Sequence, residues 1–192
     1  MKLSKQRKQK ILTSFSICFA IMFLFVHSST ADERLKYDRD SFGGWSDTDR
    51  DCQNTRHELL QQLSTLVVRL SQNGCRVLKG RWLDPFTGQT FFDSSDLDID
   101  HLVSLKYSWD RGADKWSRAK RVHFSNDLAN LFVVKKSINR QKSADGPADW
   151  LPPNEKFRCE YILKFQHVVR RYKLAQSAAE LHLIEHARQQ YC

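Results

Sequence analysis

Apolar positions in the first half of the chain recur at two spacings, and each spacing predicts a different element. From Thr55 to Leu70, leucines and valines recur every three or four residues, which predicts a helix that Asn73-Gly74 then stops. Cys75 to Leu83 and Gln89 to Phe92 are predicted strands. They flank Asp84-Pro85-Phe86-Thr87-Gly88, where Pro and Gly favour a tight turn.

The second half of the chain mixes short apolar runs with helical patterns. The run Leu97 to Leu105 predicts a strand that enters a loop, and Leu131 to Val134 predicts a second short strand. Helices are predicted over Lys115 to Phe124, Ser137 to Lys142 and Phe157 to Tyr172, and Ser177-Ala-Ala-Glu180 is a capping box that opens a last helix. Strands and helices mixed in this way predict an α+β domain.

The first 31 residues differ from the rest. A basic start without acidic residues is followed by an apolar run over residues 11–26 and by the small residues of Ser29-Thr30-Ala31. This order is typical of a secretory signal peptide over residues 1–31, with an uncleaved N-terminal membrane anchor as the alternative. Residues 32–50 are polar and predict a flexible, loosely structured lead-in, and residues 51–192 are the predicted domain.

Charge and cysteine content change once residues 1–31 are set aside. Five of the 31 basic residues lie there, so the remainder carries 26 basic against 22 acidic residues, which permits nucleic-acid binding without requiring it. Export also makes disulfides the expected state of the four remaining cysteines. We favour Cys52–Cys75 and Cys159–Cys192 because each pair flanks a local helical segment. The absence of a Cys-x-x-Cys spacing disfavours a zinc site.

The candidate chemistry centres on the adjacent pair Asp100-His101. Neighbouring residues of a strand point to opposite faces, so Asp100 can face a metal ion while His101 faces a water molecule. A histidine can accept a proton from that water, and a hard divalent cation prefers oxygen ligands such as carboxylates. Asp98 is a candidate supporting residue behind the ligands.

Residues further along the chain complete a longer motif that begins with Asp100-His101. The chain has Asp100-His101-Leu102-Val103, then Asn130-Leu131, then Asn139-Arg140-Gln141-Lys142. This pattern resembles the HNH, or ββα-metal (His-Me finger), endonucleases, and more narrowly the secreted bacterial proteins related to the C-terminal domain of GmrSD-type restriction enzymes. Supporting motifs of that group are Gly80-Arg81-Trp82, the Asp84–Gly88 turn, Trp109 with Gly112-Ala113 and Trp116, Asn126-Asp127, Trp150-Leu151-Pro152-Pro153 and Cys159-Glu160-Tyr161.

The resemblance implies a role for each matching residue. His101 would be the general base, Asp100 and Asn139 would bind one divalent metal ion, and Asn130 would brace the loop that orients His101. Lys142 would lie near the phosphate or support the metal-binding helix. Ser104 stands where many HNH proteins have Pro, a departure that the chemistry tolerates. The implied fold is a ββα-metal element embedded in a mostly helical, disulfide-stapled single domain.

These inferences converge on an exported, metal-dependent endonuclease for DNA, with RNA left open and little sequence specificity. Mg²⁺ is the expected metal, and Mn²⁺, Zn²⁺ or Ni²⁺ are the alternatives. We expect a monomer without an obligate protein partner, secreted or periplasmic, or anchored through residues 11–26. The alternative is a non-catalytic nucleic-acid-binding module on the same fold. The predicted phosphate contacts are Lys115, Arg118, Arg121, Lys135, Lys136 and Arg140, with a solvated helix face as the plain alternative.

Overall fold

A computed structural model describes residues 36–192, so the predicted signal peptide lies outside the described residues. The strands are β1 (Arg69–Leu70), β2 (Val77–Leu83), β3 (Thr90–Asp93), β4 (Leu97–His101) and β5 (Leu131–Lys135). The α-helices are α1 (Thr55–Leu63), α2 (Leu105–Trp109), α3 (Arg118–Asn126), α4 (Lys136–Lys142), α5 (Glu155–Tyr172) and α6 (Ala178–Tyr191). Among these residues, no helix is long and apolar enough to cross a membrane. The α+β class is confirmed.

The first sheet is antiparallel, in the order β1-β2-β3, and contains a bulge. The register between β2 and β3 shifts between Lys79 and Trp82. A Cβ atom at Gly80 would lie 2.6 Å from the ring of Trp82, so only glycine lets the chain pass this close to the indole. Trp82 is 1% exposed and donates its indole N–H to the carbonyl of Leu60 at 2.7 Å. This contact joins the sheet to α1.

The second sheet is the antiparallel pair of β4 and β5, and α4 follows β5 directly. Alternate residues of β4 point to opposite faces. Leu97 and Ile99 pack in a small core with Leu59 and Trp82, whereas Phe132 and Val134 of β5 lie against the larger helical core. The two-stranded sheet therefore separates two hydrophobic cores, and α4 returns across one of its faces.

Helices α5 and α6 pack together at the C-terminal end and carry the larger core. Phe165, Ile162 and Val168 of α5 are fully buried. The capping box of α6 forms only in part. The Ser177 hydroxyl accepts the N–H of Glu180, but the Glu180 carboxylate bonds to Tyr107 and Arg111 instead of turning back to the helix end. Both predicted disulfides, Cys52–Cys75 and Cys159–Cys192, are present.

Two sequence predictions need correction. The helix predicted over 55–70 ends at Leu63, because the chain turns at Ser64 and pairs with β2: the hydroxyl of Ser64 accepts the N–H of Arg81 at 3.0 Å. Leu66 and Val67, which looked like core positions, are 54% and 99% exposed. The lead-in is not loose over residues 36–50, because Phe42 is fully buried and its carbonyl accepts the hydroxyl of Ser125.

The other predicted elements form close to their expected bounds. The strands around the Asp84–Gly88 turn, the strand ending at His101 and the strand from Leu131 are all present. The helix predicted from Lys115 begins instead at Arg118. A short 3-10 helix, Ala113–Lys115, precedes it, and the Ser117 hydroxyl caps the new start by accepting the N–H of Lys120.

Candidate active site

Strand β4 carries the candidate residues on two faces. Asp98 and Asp100 alternate with Ile99 and therefore point toward α4, and His101 is the last residue of the strand on the other face. In the register with β5, Asp100 pairs with Phe132 and His101 with Leu131. The adjacent acid and imidazole thus point away from each other, as the strand period predicts.

Asp100 lies in a buried ion pair with Lys142. The ammonium Nζ of Lys142 donates to Oδ1 of Asp100 at 2.9 Å and to the His101 carbonyl at 3.0 Å. The two side chains are only 4% and 0% exposed. Burial raises the pKa of Asp100 above its ordinary value, and the Lys142 ammonium opposes that rise. Among the described residues, Oδ2 of Asp100 has no hydrogen-bond partner.

His101 is held in one orientation by two contacts. Its Nε2–H donates to the Ser125 carbonyl at 2.9 Å, since a carbonyl can only accept. Its ring stacks on the indole of Trp45, with 5.2 Å between centroids and 2° between planes. Burial lowers the pKa of His101 to about 4, although the Ser125 carbonyl acts in the opposite direction. The imidazole is therefore neutral near pH 7, with its proton on Nε2 and a lone pair on Nδ1.

A cavity of about 210 Å³ opens onto this imidazole. Trp45, Gly44 and Arg39 of the N-terminal segment line it together with His101 and Ser125. Residues 39–45 lay outside the predicted domain, so sequence reasoning missed them as parts of the site. Nothing in the spacing of Trp45 pointed to His101, which is 56 positions away; only the fold brings the two rings together.

Asn130 locks the loop that follows β4. Its side-chain carbonyl accepts the N–H of Val103 at 2.8 Å, its amide donates to the Val103 carbonyl at 3.1 Å, and its backbone carbonyl accepts the N–H of Leu102. The side chain is fully buried. These three bonds hold the segment after His101 against the start of β5. Asn130 thus braces the loop that follows the strand.

Asn139 lies on α4 beside Asp98. Its Nδ2 donates to Oδ2 of Asp98 at 3.3 Å, and both residues are half-buried. One turn further along α4, Lys142 reaches Asp100, so the helix meets two successive acidic residues of the strand. Sequence reasoning placed Asn139 with Asp100 and left Asp98 in a supporting role; the direct contact in the structure is with Asp98.

The predicted basic contacts separate into free and occupied side chains. Arg121 is a correction, because its guanidinium donates to the carbonyls of Ser41, Ala113, Asp114 and Trp116 and thereby supports the fold. Arg118, the first residue of α3, and Lys115, in the short 3-10 helix before it, are exposed. Lys135, Lys136 and Arg140 line a cavity of about 440 Å³ beside α4. Lys142 is fully buried and faces Asp100, not a surface phosphate.

The four tryptophans of the supporting motifs pack within the domain. Trp82 and Trp109 are 1% and 7% exposed, and Trp116 and Trp150 pack against the larger core. These indole rings therefore serve the packing of the fold.

Comparison with known proteins identifies the family of this chain. The family model for the C-terminal domain of GmrSD restriction endonucleases matches residues 53–184, and the chain belongs to that family. Membership indicates a nuclease-like function. A relative from the fungus Arthroderma benhamiae (strain ATCC MYA-4681 / CBS 112371), described as an uncharacterized secreted protein, is 36% identical over 146 residues, which cover 75% of this chain and 70% of the relative. No solved structure matches the chain.

Proposed function

We propose that this protein is an exported, metal-dependent endonuclease that hydrolyses phosphodiester bonds of DNA with little sequence specificity. The observation that carries the proposal is the end of β4. There, a buried carboxylate with one unpaired oxygen is followed at once by a neutral, oriented imidazole, in a domain of a restriction-endonuclease family. The antiparallel pairing of β4 with β5, and the helix α4 that follows β5 and packs on both strands, support assignment to the ββα-metal class.

His101 is the general base in this proposal. The bond from Nε2–H to Ser125 leaves Nδ1 as the proton acceptor, and Trp45 keeps the ring from turning. The base accepts a proton from the attacking water, and such a group typically contributes 10²- to 10⁴-fold to the rate. The products would carry a 5′-phosphate and a 3′-hydroxyl.

A divalent metal ion bound by Asp100 and Asn139 would supply the charge that neutralises the scissile phosphate. The residues fit such an ion. Among the described residues, Oδ2 of Asp100 is buried without a hydrogen-bond partner, and a buried oxygen in that state can serve as a ligand to a bound ion. The amide nitrogen of Asn139 is used by Asp98, which leaves its carbonyl oxygen as the donor. Oxygen donors favour Mg²⁺, with Mn²⁺, Zn²⁺ and Ni²⁺ as the other metals to assay.

Two residues position this machinery without touching the substrate. Asn130 fixes the backbone at Val103, two residues beyond the base. Lys142 bonds to Asp100 and to the His101 carbonyl, so one ammonium holds both the ligand and the backbone of the base. Groups behind metal ligands typically change affinity or activity by 10- to 100-fold when they are replaced.

Export and substrate range complete the proposal. The predicted signal peptide, the two disulfides and the secreted description of the fungal relative support a location outside the cytoplasm. A monomer with exposed basic residues suits backbone binding of DNA, and RNA is the second substrate class to assay.

The alternative is a nucleic-acid-binding module without activity. One observation favours it: Lys142 already neutralises Asp100, so the buried carboxylate does not depend on a metal ion for its charge balance. The two functions differ in whether phosphodiester bonds are broken.

The test is nicking of supercoiled plasmid by the purified protein in Mg²⁺, Mn²⁺, Zn²⁺ or Ni²⁺, with and without EDTA. We expect metal-dependent nicking that EDTA abolishes. Asn139→Ala should require a higher metal concentration for half-maximal rate, because one ligand oxygen is lost. Gln141→Ala, an exposed amide on the same helix, should behave as wild type. Binding without cleavage in all four metals would instead establish the binding module.

A further inference from the structure

Two cavities with cationic linings adjoin on the surface of the domain. The first, about 310 Å³, is lined by Arg56, Arg69, Arg76 and Lys79, with Asp93 as its acidic residue. The second is the cavity of about 440 Å³ beside α4, lined by Lys135, Lys136 and Arg140, with Asp96. Ser95 lines both. We call the surface formed by these two neighbouring cavities the cationic groove. Its first half was not among the predicted basic contacts.

The positive charges in the first half of the cationic groove lie close together, and their mutual repulsion is destabilising. Arg69 of β1 stands directly opposite Lys79 of β2, and like charges at opposed positions of antiparallel strands are destabilising. Lys79 pairs with Asp93, which relieves part of the repulsion. Arg69 and Arg76 are exposed, and within residues 36–192 neither guanidinium takes part in an ion pair or a hydrogen bond. Arg69 and Arg76 are therefore two cations without a protein partner among the described residues, close to Lys79, and such a cluster is suited to binding an external polyanion.

The junction of the two halves lies next to the candidate active site. Arg56 donates to the carbonyls of Ser94 and Leu97, which bracket the short turn leading into β4. Lys136 donates to the carbonyl of Ser95 from the other half. Asp98, which contacts Asn139, follows one residue after Leu97. A strand that follows the groove would therefore pass beside the Asp98–Asn139 pair.

We propose that the cationic groove binds the phosphate backbone of the substrate nucleic acid on both sides of the cleavage point, with Arg69 and Arg76 as its outer contacts. This inference rests on the proposed nuclease function. It extends the substrate surface from α4 to the three-stranded sheet. Binding of this kind is sequence-independent, because phosphate contacts carry no base information.

The test measures the salt dependence of binding to a mixed-sequence DNA duplex in EDTA, where no cleavage occurs. Releasing counterions gives a slope of log K against log salt of about −0.9 per phosphate contact. The double variant Arg69→Gln/Arg76→Gln should therefore bind more weakly at low salt, with a slope shallower by about 1.8. The control Lys156→Gln/Arg170→Gln removes the same charge from exposed positions on α5, outside the groove, and should keep the wild-type slope.

The outcomes separate the two proposals. If the wild type nicks plasmid and the double variant binds with an unchanged slope, the proposed role of the groove is overturned, while the proposed nuclease function is supported. If the slope is steep for the wild type and shallower for the double variant, but the wild type never cleaves DNA, the proposed role of the groove is supported and the proposed nuclease function is overturned. Equal thermal unfolding midpoints of wild type and both double variants exclude a folding defect as the cause.

Discussion

A single buried lysine holds the candidate site together at the residue scale. Lys142 is 0% exposed, and its ammonium bonds to the Asp100 carboxylate and to the His101 carbonyl. A buried pair gains little over an apolar one, because desolvation offsets the attraction, but removing one partner leaves an uncompensated charge in the interior. The contribution of Lys142 to stability is therefore best measured by replacing Lys142 alone, which leaves the Asp100 carboxylate buried without a countercharge.

We expect Lys142→Met to lower the free energy of unfolding by about 3–5 kcal/mol, because Asp100 then stays buried without a countercharge. Urea denaturation followed by circular dichroism measures the change. Lys106→Met removes a lysine from an exposed i,i+4 pair with Asp110 and should cost less than about 0.5 kcal/mol. A Lys142→Met change as small as that of the control would contradict the buried pair.

Residue identity alone supplied candidate roles for the site but not the surroundings of each residue. The types and order of Asp100, His101, Asn130 and Asn139 were enough to assign candidate roles. Burial was not readable, so the sequence did not show that Lys142 pairs with Asp100 in the interior, and Arg121 was predicted as a phosphate contact although it binds backbone carbonyls. Trp45 escaped notice because stacking between residues far apart in sequence leaves no local pattern.

At the element scale, the turn-bounded strands were predictable and the end of α1 was not. Pro and Gly at the Asp84–Gly88 turn fix both flanking strands, and the hydroxyl caps fix helix starts. The leucines and valines after Leu63 continue a helical period, but tertiary pairing with β2 overrides it. Periodicity reports which side chains are apolar and cannot report which partner strand competes for the backbone.

The bulge in β2 gives an element-scale prediction. Gly80→Ala places a Cβ atom within 2.6 Å of the Trp82 ring and 2.7 Å of the Ser64 hydroxyl, so the strand or the indole must move. We expect a loss of about 1–3 kcal/mol in the free energy of unfolding, the range for overpacking a core.

Denaturant unfolding of Gly80→Ala checks this, with Gly44→Ala as the control. Gly44 has no atom within 4 Å of an added Cβ, so that variant should unfold like the wild type. A Gly80→Ala protein as stable as the control would mean that the bulge adapts freely and that Trp82 does not fix its position.

At the scale of the whole molecule, the fold assembles the site from distant parts of the chain. The N-terminal segment supplies Trp45 and Arg39, β4 supplies the acid and the base, and α4 closes over the acid. The disulfide Cys52–Cys75 ties the start of α1 to the start of β2, and Cys159–Cys192 ties α5 to the end of α6. The two hydrophobic cores, one on each side of the two-stranded sheet, keep these parts in place.

The central claim is that His101 carries the proton transfer of a metal-dependent phosphodiester hydrolysis. The rate of plasmid nicking by His101→Ala in saturating Mg²⁺ tests it most directly, beside wild type and His182→Ala, which removes an exposed imidazole from α6. We expect a fall of about 10²- to 10⁴-fold for His101→Ala and no change for His182→Ala. Nicking by His101→Ala at the wild-type rate, still abolished by EDTA, would contradict it.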